Sequence, residues 1–205
     1  MFKTFNIWLF FAVVITIPVS VYAVVNWYER SVKALPVLMD KNHTIDDYQL
    51  INQQGKQVST AGWENKIVVA NFFFTHCPSI CPKMTKNLIT VQQVYINRND
   101  LLLVSFSVDP ERDSVKRLAE YADKFSINET KWQLLTGSKK EIYRLARKSF
   151  KVTATDGDGG TDDFIHSNKL ILIDTKKRIR GYYDGTDEKE TTQLIKDIKK
   201  LENEH

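Results

Sequence analysis

The hydrophobic pattern divides the chain into an apolar N-terminal stretch and a longer region in which short apolar runs alternate with amphipathic ones. No residue from 5 to 28 is charged, and this stretch is long enough to span a bilayer as a helix. Trp8 and Trp27 suit the two interfaces of such a helix. The pattern predicts a single N-terminal transmembrane helix within residues 1–28. A cleaved signal peptide, ending near residues 21–23, is the alternative.

Residues 29–44 form a predicted linker, and the predicted domain at 45–205 alternates between strand and helix patterns. The predicted elements are a hairpin of 48–52 with 56–59, a strand at 67–74, a helix at 82–98, a strand at 101–108, a helix capped by Asp113 or Ser114 and ending near 125, a helix at 139–149, a hairpin of 169–173 with 178–183, and a helix at 188–202. This order predicts a thioredoxin-like α/β fold, in which helices flank a central mixed sheet.

Composition and charge narrow the classes of function. The chain has 205 residues, 42% hydrophobic and 26% charged, which fits one globular domain after the N-terminal segment. The net charge of +4 is spread along the chain, without an aromatic stripe between basic clusters, so nucleic-acid binding is not expected. Because few residues precede the apolar span, we expect the domain on the non-cytoplasmic, periplasmic side, where a dithiol can cycle with a disulfide.

The two cysteines, Cys77 and Cys81, are the strongest candidates for chemistry. They lie where an apolar strand pattern meets a proline-containing turn, so the predicted fold puts Cys77 at the N-terminus of a helix. A thiolate is stabilised there, and its pKa falls below the free value. Two thiols at this spacing share one helix face and can bind one soft metal ion or form a disulfide. Burial as two small hydrophobic side chains is the alternative.

A third ligand of imidazole type would complete a copper site. Thiolates select Cu(I), and an added imidazole lets a site hold Cu(II) as well. His43 lies in the linker region, His205 is the last residue, and His76 adjoins a cysteine with its side chain expected to point away from that sulfur. His166, which lies between a Gly-rich loop and a strand, is the favoured ligand. A structural role before the strand is its alternative.

Four motifs together resemble those of the Sco/SenC family, which contains thioredoxin-like copper proteins of cytochrome oxidase assembly. The motifs are the cysteine-containing run at 74–82, the segments 107–113 and 132–137, and the pair at 166–167. The resemblance covers about residues 45–202. It depends on the order and spacing of all four motifs rather than on the cysteine spacing alone.

The resemblance implies that Cys77, Cys81 and His166 bind one copper ion, Cu(I) or Cu(II). The ion would pass to the binuclear copper centre in the copper-bearing subunit of cytochrome c oxidase. Some family members instead resemble thiol-disulfide reductases that reduce the cysteines of that subunit. Other copper chaperones or thiol reductants are further expected partners.

The chain departs from the family pattern at two positions. Ser79 stands where members often carry an acidic residue, and Ile165 stands where many have an acid before the histidine. Asp162 or Asp163 is a candidate for the missing carboxylate that orients the histidine. Asp109 follows the second central strand and is predicted to support the thiols; a role in a local turn is the alternative.

Three functional classes remain open from the sequence. A metallochaperone needs both thiols and His166, whereas a dithiol oxidoreductase needs only the cysteines. Thioredoxins also place a proline ahead of the strand beside the dithiol, but no proline follows Pro110 in this chain, which favours metal binding. A peroxidase is the least favoured class, because the chain lacks a peroxiredoxin-type proline–threonine–cysteine arrangement.

Overall fold

The computed structural model describes residues 3–40, 42–152 and 167–204. The chain divides into an N-terminal unit that ends at Ala34 and a second unit of residues 35–203. The first unit contains helix α1, Lys3–Lys33. Its segment Trp8–Trp27 has a mean hydropathy of 2.3 and is long and apolar enough to cross a membrane. A signal sequence has the same properties, so α1 is compatible with both predictions for this segment.

Within the described residues of the second unit, seven strands form one mixed sheet. Their bounds are β1 Leu50–Asn52, β2 Gln57–Val58, β3 Ile67–Phe73, β4 Leu101–Ser107, β5 Trp132–Thr136, β6 Lys169–Ile173 and β7 Ile179–Asp184. The spatial order is β2-β1-β5-β4-β3-β6-β7. β3 pairs in parallel with β4 and antiparallel with β6, and β4 pairs in parallel with β5. β3 is therefore an interior strand of the sheet.

Helices cover both faces of this sheet. They are α2 Ile80–Val94, α3 Val115–Phe125, α4 Lys139–Arg144 and α5 Glu188–Glu202, with a 3₁₀ turn at Thr60–Trp63 and a π turn at Leu145–Ser149. Because side chains alternate along a strand, Val69 and Phe73 of β3 join a core with α2, α3 and α5. Val68 and Phe72 join a second core with α4 and the two short turns. The predicted thioredoxin-like arrangement, with helices flanking a mixed sheet, is confirmed.

The individual elements differ from the prediction in three places. β5 was not expected as a strand, although its segment contributes to the family resemblance. The predicted helix at 139–149 is α-helical only as far as Arg144 and then widens into the π turn. α2 begins at Ile80, before the predicted start at 82, and ends at Val94. Pro82 is tolerated in its first turn because the amide that proline lacks has no helical partner at that position.

The predicted linker and the first residue of the predicted domain make hydrogen bonds to β7 and to the turn before it. The Leu38 amide donates to the Ile179 carbonyl at 3.0 Å, and the Ile45 amide donates to the Lys177 carbonyl at 2.9 Å. The Arg180 guanidinium donates to the Pro36 carbonyl. These contacts fix the segment from residue 36 onward along the sheet edge at the β6–β7 turn.

Candidate functional site

The two cysteines meet where the turn after β3 enters α2. Cys77 is partly exposed, whereas Cys81, in the first turn of α2, is only 5% exposed. The Cys81 amide donates to Cys77 Sγ at 3.3 Å. Ser79 is the residue before α2, and its side chain makes no capping hydrogen bond. Cys77 Sγ thus accepts a hydrogen bond from one of the helix N-terminal amides that lack a helical partner.

The environments of the two thiols give them opposite acidities. Burial alone would raise the pKa of Cys77, but hydrogen bonds from the backbone of Cys81, Ser79 and Ile80 outweigh it and lower that pKa. Deeper burial raises the pKa of Cys81 to about 12, despite a hydrogen bond from the Phe74 backbone. Cys81 therefore keeps its proton at neutral pH and can donate it to the Cys77 sulfur. The sequence-based expectation that the Cys77 pKa is lowered at a helix N-terminus is confirmed.

Both thiols open into a cleft of about 360 Å³. Its lining residues are Phe72, Phe73, Phe74, Cys77, Ser79, Ile80, Cys81, Lys83, Val108, Ser167, Asn168 and Thr186. Aromatic side chains from the end of β3 provide much of the apolar surface, and Ile80 is 44% exposed at its margin. The partly exposed Cys77 sulfur is therefore accessible from solvent, and the buried Cys81 lines the same cleft.

A buried carboxylate, that of Asp113, anchors the turn that carries Cys77. Thr75 donates to Asp113 twice, from its amide at 3.1 Å and from Oγ1 at 2.5 Å, and Ser107 Oγ donates at 2.6 Å. The sequence predicts Asp113 or Ser114 as a helix cap and places Asp113 at the end of the motif 107–113, without indicating a contact with the thiol turn. The cap of α3 is in fact Ser114, whose Oγ accepts from the Arg117 amide at 3.3 Å.

Asp109 heads a local turn beside this site. Its carbonyl accepts from the amides of Arg112 and Asp113, at 3.1 and 2.9 Å, and its carboxylate lies 3.5 Å from Arg112 Nε. Val108, the preceding residue, lines the cleft, but Asp109 does not. These contacts fit the turn reading, and the carboxylate that reaches the thiol turn is that of Asp113.

The predicted third ligand, His166, lies outside the described residues, as do Ile165, Asp162 and Asp163. Ser167, the next residue along the chain, lines the cleft with both thiols.

Two other histidines belong to the described part, and each is engaged in a hydrogen bond. His43 Nε2 lies 2.7 Å from the Ser149 carbonyl, and His76 Nε2 lies 3.3 Å from the Arg117 guanidinium. Over the described ranges, no group of three or more His, Cys, Asp or Glu side chains is arranged to hold a metal ion. The described part of the site contributes a pair of soft sulfur donors.

Comparison with known proteins gives a consistent result. The sequence profile of the family described as SCO1/SenC matches residues 37–203. The SCO1 protein homolog of Bacillus subtilis (strain 168) is 33% identical over 160 residues, which cover 77% of this chain and 82% of that protein.

Two solved structures share both fold and sequence with the chain. BsSco, a member of the Sco family of cytochrome c oxidase assembly proteins in which a disulfide switch was identified, is 31% identical, with a TM-score of 0.70 over 83% of this chain and 98% of that chain. Arabidopsis thaliana ScoI with copper bound is 31% identical, with a TM-score of 0.60 over 75% of this chain and 97% of that chain.

Proposed function

The chain belongs to the SCO1/SenC family, and from that premise we propose that it is a copper-binding metallochaperone for the binuclear copper centre of cytochrome c oxidase. One copper ion is the cargo, and Cys77, Cys81 and His166 are its ligands. The proposal is supported by two relatives, one described as a member of a family of cytochrome c oxidase assembly proteins and one solved with copper bound.

The observation that carries the proposal is the paired placement of the two thiols in the lining of one open cleft. Cys77 Sγ already accepts a hydrogen bond from the Cys81 amide at 3.3 Å, so both sulfurs belong to one turn of chain. Thiolates are the ligands that Cu(I) prefers, and the low pKa of Cys77 favours the deprotonated form that binds metal. An open cleft suits a cargo ion, because ligands of a partner can approach it.

His166 is proposed as the third ligand because of its position in the sequence. Ser167, which follows it, lines the cleft beside Cys77 and Cys81. His76 is the competing imidazole, but its Nε2 faces the Arg117 guanidinium. The two histidines therefore form a matched pair for an experiment.

The test is an anaerobic titration of the reduced full-length chain in detergent with Cu(I), using a competing chelator to measure affinity. We expect one equivalent to bind to the parent and the affinity to fall strongly in Cys77→Ser, Cys81→Ser and His166→Ala. His76→Ala is the matched control and should bind like the parent. The protein oxidised to the disulfide should not bind, since both sulfur ligands are then consumed.

Tight binding that survives His166→Ala, or loss of binding in His76→Ala, would contradict the assigned ligand set. Absence of copper binding by the reduced parent, together with rapid thiol-disulfide exchange, would move the protein to a second function, a thiol-disulfide reductase acting on the cysteines of the oxidase subunit.

The unequal pKa values of the two thiols favour the thiol-disulfide reductase as the second candidate function, because they supply one thiolate to attack and one thiol to follow. The Cys77 thiolate would attack a disulfide sulfur of the partner, forming a mixed disulfide and releasing one partner thiolate. Cys81 would then lose its proton and attack the Cys77 sulfur, which releases the second partner thiolate and leaves the Cys77–Cys81 disulfide. The net change is the transfer of two electrons to the partner, whose two thiolates take up the proton released by Cys81 and one proton from solvent.

We also propose that α1 anchors the protein in a membrane and that the second unit lies on the non-cytoplasmic side. The apolar segment Trp8–Trp27 supports an anchor. Access of a membrane-impermeant thiol reagent to Cys77 in intact and permeabilised cells tests the side: labelling that requires lysis of the inner membrane would overturn the assignment.

A further inference from the structure

Asp113 carries a carboxylate into the protein interior with little charge compensation. Its side chain is fully buried. Among the described residues, the one basic side chain within 4.0 Å of the carboxylate is that of His76, whose Nδ1 lies 3.9 Å from Oδ1. A carboxylate in this position costs free energy unless hydrogen bonds satisfy its oxygens. A buried carboxylate whose oxygens are satisfied by donors of a neighbouring turn, rather than by a paired cation, is a candidate for positioning that turn.

The donors to this carboxylate come from both sides of the site. Ser107 Oγ, at the end of β4, donates to Oδ2, and Asp113 itself directly precedes the cap of α3. Thr75 supplies two more hydrogen bonds, its amide to Oδ2 and its hydroxyl to Oδ1. Asp113 thus ties the first residues of the thiol turn to the framework formed by β4 and α3.

The turn that Asp113 anchors leads directly into Cys77. Thr75 is followed by His76 and Cys77, and the Cys77 amide donates to the Phe74 carbonyl at 3.3 Å. Phe74 also lines the cleft together with both cysteines. A displacement of Thr75 would therefore move the residues on both sides of it, Phe74 and Cys77.

The outer side of the turn extends the same hydrogen-bond chain. Arginine can only donate, so the 3.3 Å contact makes His76 Nε2 the acceptor from Arg117, and in the neutral ring Nδ1 carries the proton. Nδ1 lies 3.2 Å from Thr75 Oγ1, whose own proton is donated to Asp113. Every bond in the chain from Arg117 to Asp113 runs in one direction, so all its donors and acceptors are satisfied together.

We propose that Asp113 is a positioning residue for the dithiol, which acts through Thr75 to hold Cys77 Sγ against the amides at the start of α2. The inference rests on the proposed function only in that it treats Cys77 and Cys81 as working thiols. It does not depend on whether copper or electrons are delivered.

The test is the alkylation rate of Cys77 by iodoacetamide at pH 7, measured in the full-length chain with Cys81→Ser as background. Thr75→Val removes the hydroxyl donor at nearly constant volume, whereas Thr75→Ser keeps it. We expect Thr75→Val to slow alkylation by about fivefold, the value of one ordinary hydrogen bond, and Thr75→Ser to retain the parent rate.

Thr60→Val is the matched control. The amide and hydroxyl of Thr60 donate to one carboxylate, that of Asp47, at 3.1 and 2.6 Å, which repeats the arrangement at Thr75 away from the cleft. Because Asp47 is exposed, this control should lose less stability than Thr75→Val, and it should leave the Cys77 rate unchanged. An unchanged rate in Thr75→Val, or an equal decrease in Thr60→Val, would overturn the positioning role.

A second readout is the reduction potential of the Cys77–Cys81 pair in the chain with both cysteines. Loss of thiolate stabilisation should make the potential of Thr75→Val more negative than that of the parent and of Thr75→Ser. An unchanged potential counts against the proposal. Asp113→Asn should also make the reduction potential more negative, and adding Thr75→Val to it should change the potential little further. If Asp113→Asn does not fold, the comparison of Thr75→Val with Thr75→Ser still tests the proposal.

The outcome is separable from that of the proposed function. If the parent binds no copper but Thr75→Val slows Cys77 alkylation, the positioning role stands and metal delivery is wrong. If the parent binds copper and Thr75→Val leaves both alkylation and potential unchanged, the positioning role is wrong and metal delivery is unaffected.

Discussion

Asp113 and Asp174 are both buried, yet their charges are compensated in different ways at opposite ends of the strands, which are called here the Asp113 edge and the Asp174 edge. Asp113 accepts hydrogen bonds from hydroxyl groups and one amide beside the cysteines. Asp174 follows β6 and accepts from the guanidinium groups of Arg178 and Arg180, at 2.7 and 3.0 Å. Because β6 runs antiparallel to β3, its C-terminal end lies beside Val68, at the start of β3, far from the thiol turn that follows Phe73.

The Asp174 cluster holds the segment that leads into the domain. Arg180 is 5% exposed and donates to Asp174 and to the carbonyls of Leu35 and Pro36. Asp174 Oδ1 also accepts from the amides of Lys176 and Arg178, which closes the β6–β7 turn. Two guanidinium groups and two backbone amides therefore stabilise the negative charge of this carboxylate.

The different partners of the two buried carboxylates give Asp174 and Asp113 different roles. A buried ion pair with full hydrogen bonding is costly to break, because removal of one partner leaves the other charge buried. A carboxylate satisfied by hydroxyl groups and an amide leaves no buried cation behind when it is removed, but its fixed acceptors determine where a neighbouring turn lies. We infer that the Asp174 edge is built for cohesion and the Asp113 edge for positioning.

The largest expected effect follows from breaking the Asp174 edge. Asp174→Asn leaves the Arg180 guanidinium buried without its carboxylate, and we expect a loss of about 3–5 kcal/mol in the free energy of unfolding. Urea unfolding of the full-length chain in detergent, followed by tryptophan fluorescence, measures it. The alkylation rate of Cys77 should stay at the parent value, since the two edges are separate.

Asp100→Asn is the control for this experiment. Asp100 pairs with Arg98 at 2.5 Å, but both side chains are substantially exposed, so the pair contributes little. A loss in Asp174→Asn no greater than that in Asp100→Asn would show that the buried cluster is not the stronger edge. A changed Cys77 rate in Asp174→Asn would show that the edges are coupled.

A smaller effect is expected from the thiols at the Asp113 edge. Cys77 has a lowered pKa and Cys81 a pKa raised to about 12, so at pH 7 the thiolate population belongs almost entirely to Cys77. The lower intrinsic nucleophilicity of the more acidic thiol offsets part of this advantage, which leaves Cys77 about ten- to a hundredfold faster with iodoacetamide. Peptide mass spectrometry of timed samples gives both rates in one experiment.

Single-cysteine variants provide the check. Cys81→Ser retains a hydroxyl that can still donate to Cys77 and should keep the fast rate, whereas Cys77→Ser should leave a slowly alkylated Cys81. Equal rates for the two thiols would mean that the backbone amides at the start of α2 do not stabilise the Cys77 thiolate.

Much of this fold could be predicted from the sequence because its signals are local. β3 and β4 are buried on both faces and read as continuous apolar runs, and α5 matches its predicted bounds, 188–202, with Asp187 as its cap. β5 was missed because a short strand containing Gln133 has no such run. It is held by its neighbours, β4 on one side and β1 on the other, and those pairings are not visible in a local pattern.

The site divides in the same way. Cys77 and Cys81 could be identified because both lie in one turn. The lowered pKa of Cys77 follows from the helix start, whereas the raised pKa of Cys81 comes from its burial, which a local pattern does not show. Asp113 could not be identified, because the partner that defines its role, Thr75, is 38 residues away in the chain. The local sequence predicts Asp113 and Ser114 equally well as helix caps. The parallel pairing of β3 with β4 distinguishes them, because it brings Thr75 beside Asp113.

The smallest expected effect, the pH dependence of the Asp174 edge, would sharpen the comparison further. Burial acts to raise the pKa of Asp174, but hydrogen bonds from Arg178 and Arg180 outweigh it, so the folded-state pKa is lowered. The stabilisation is therefore complete above the unfolded value of about 4 and is lost as the pH falls through the folded value.

The gap in unfolding free energy between the parent and Asp174→Asn should accordingly be constant from pH 7 to about 5 and should narrow below about pH 4. Urea midpoints at successive pH values measure this gap, and the subtraction removes the contributions of other carboxylates with lowered pKa values, such as Asp46 and Asp197. A gap that stays constant down to pH 2 would mean that the charge of Asp174 does not stabilise the fold. The cohesion of this edge would then come from the shape of the β6–β7 turn rather than from its ion pairs.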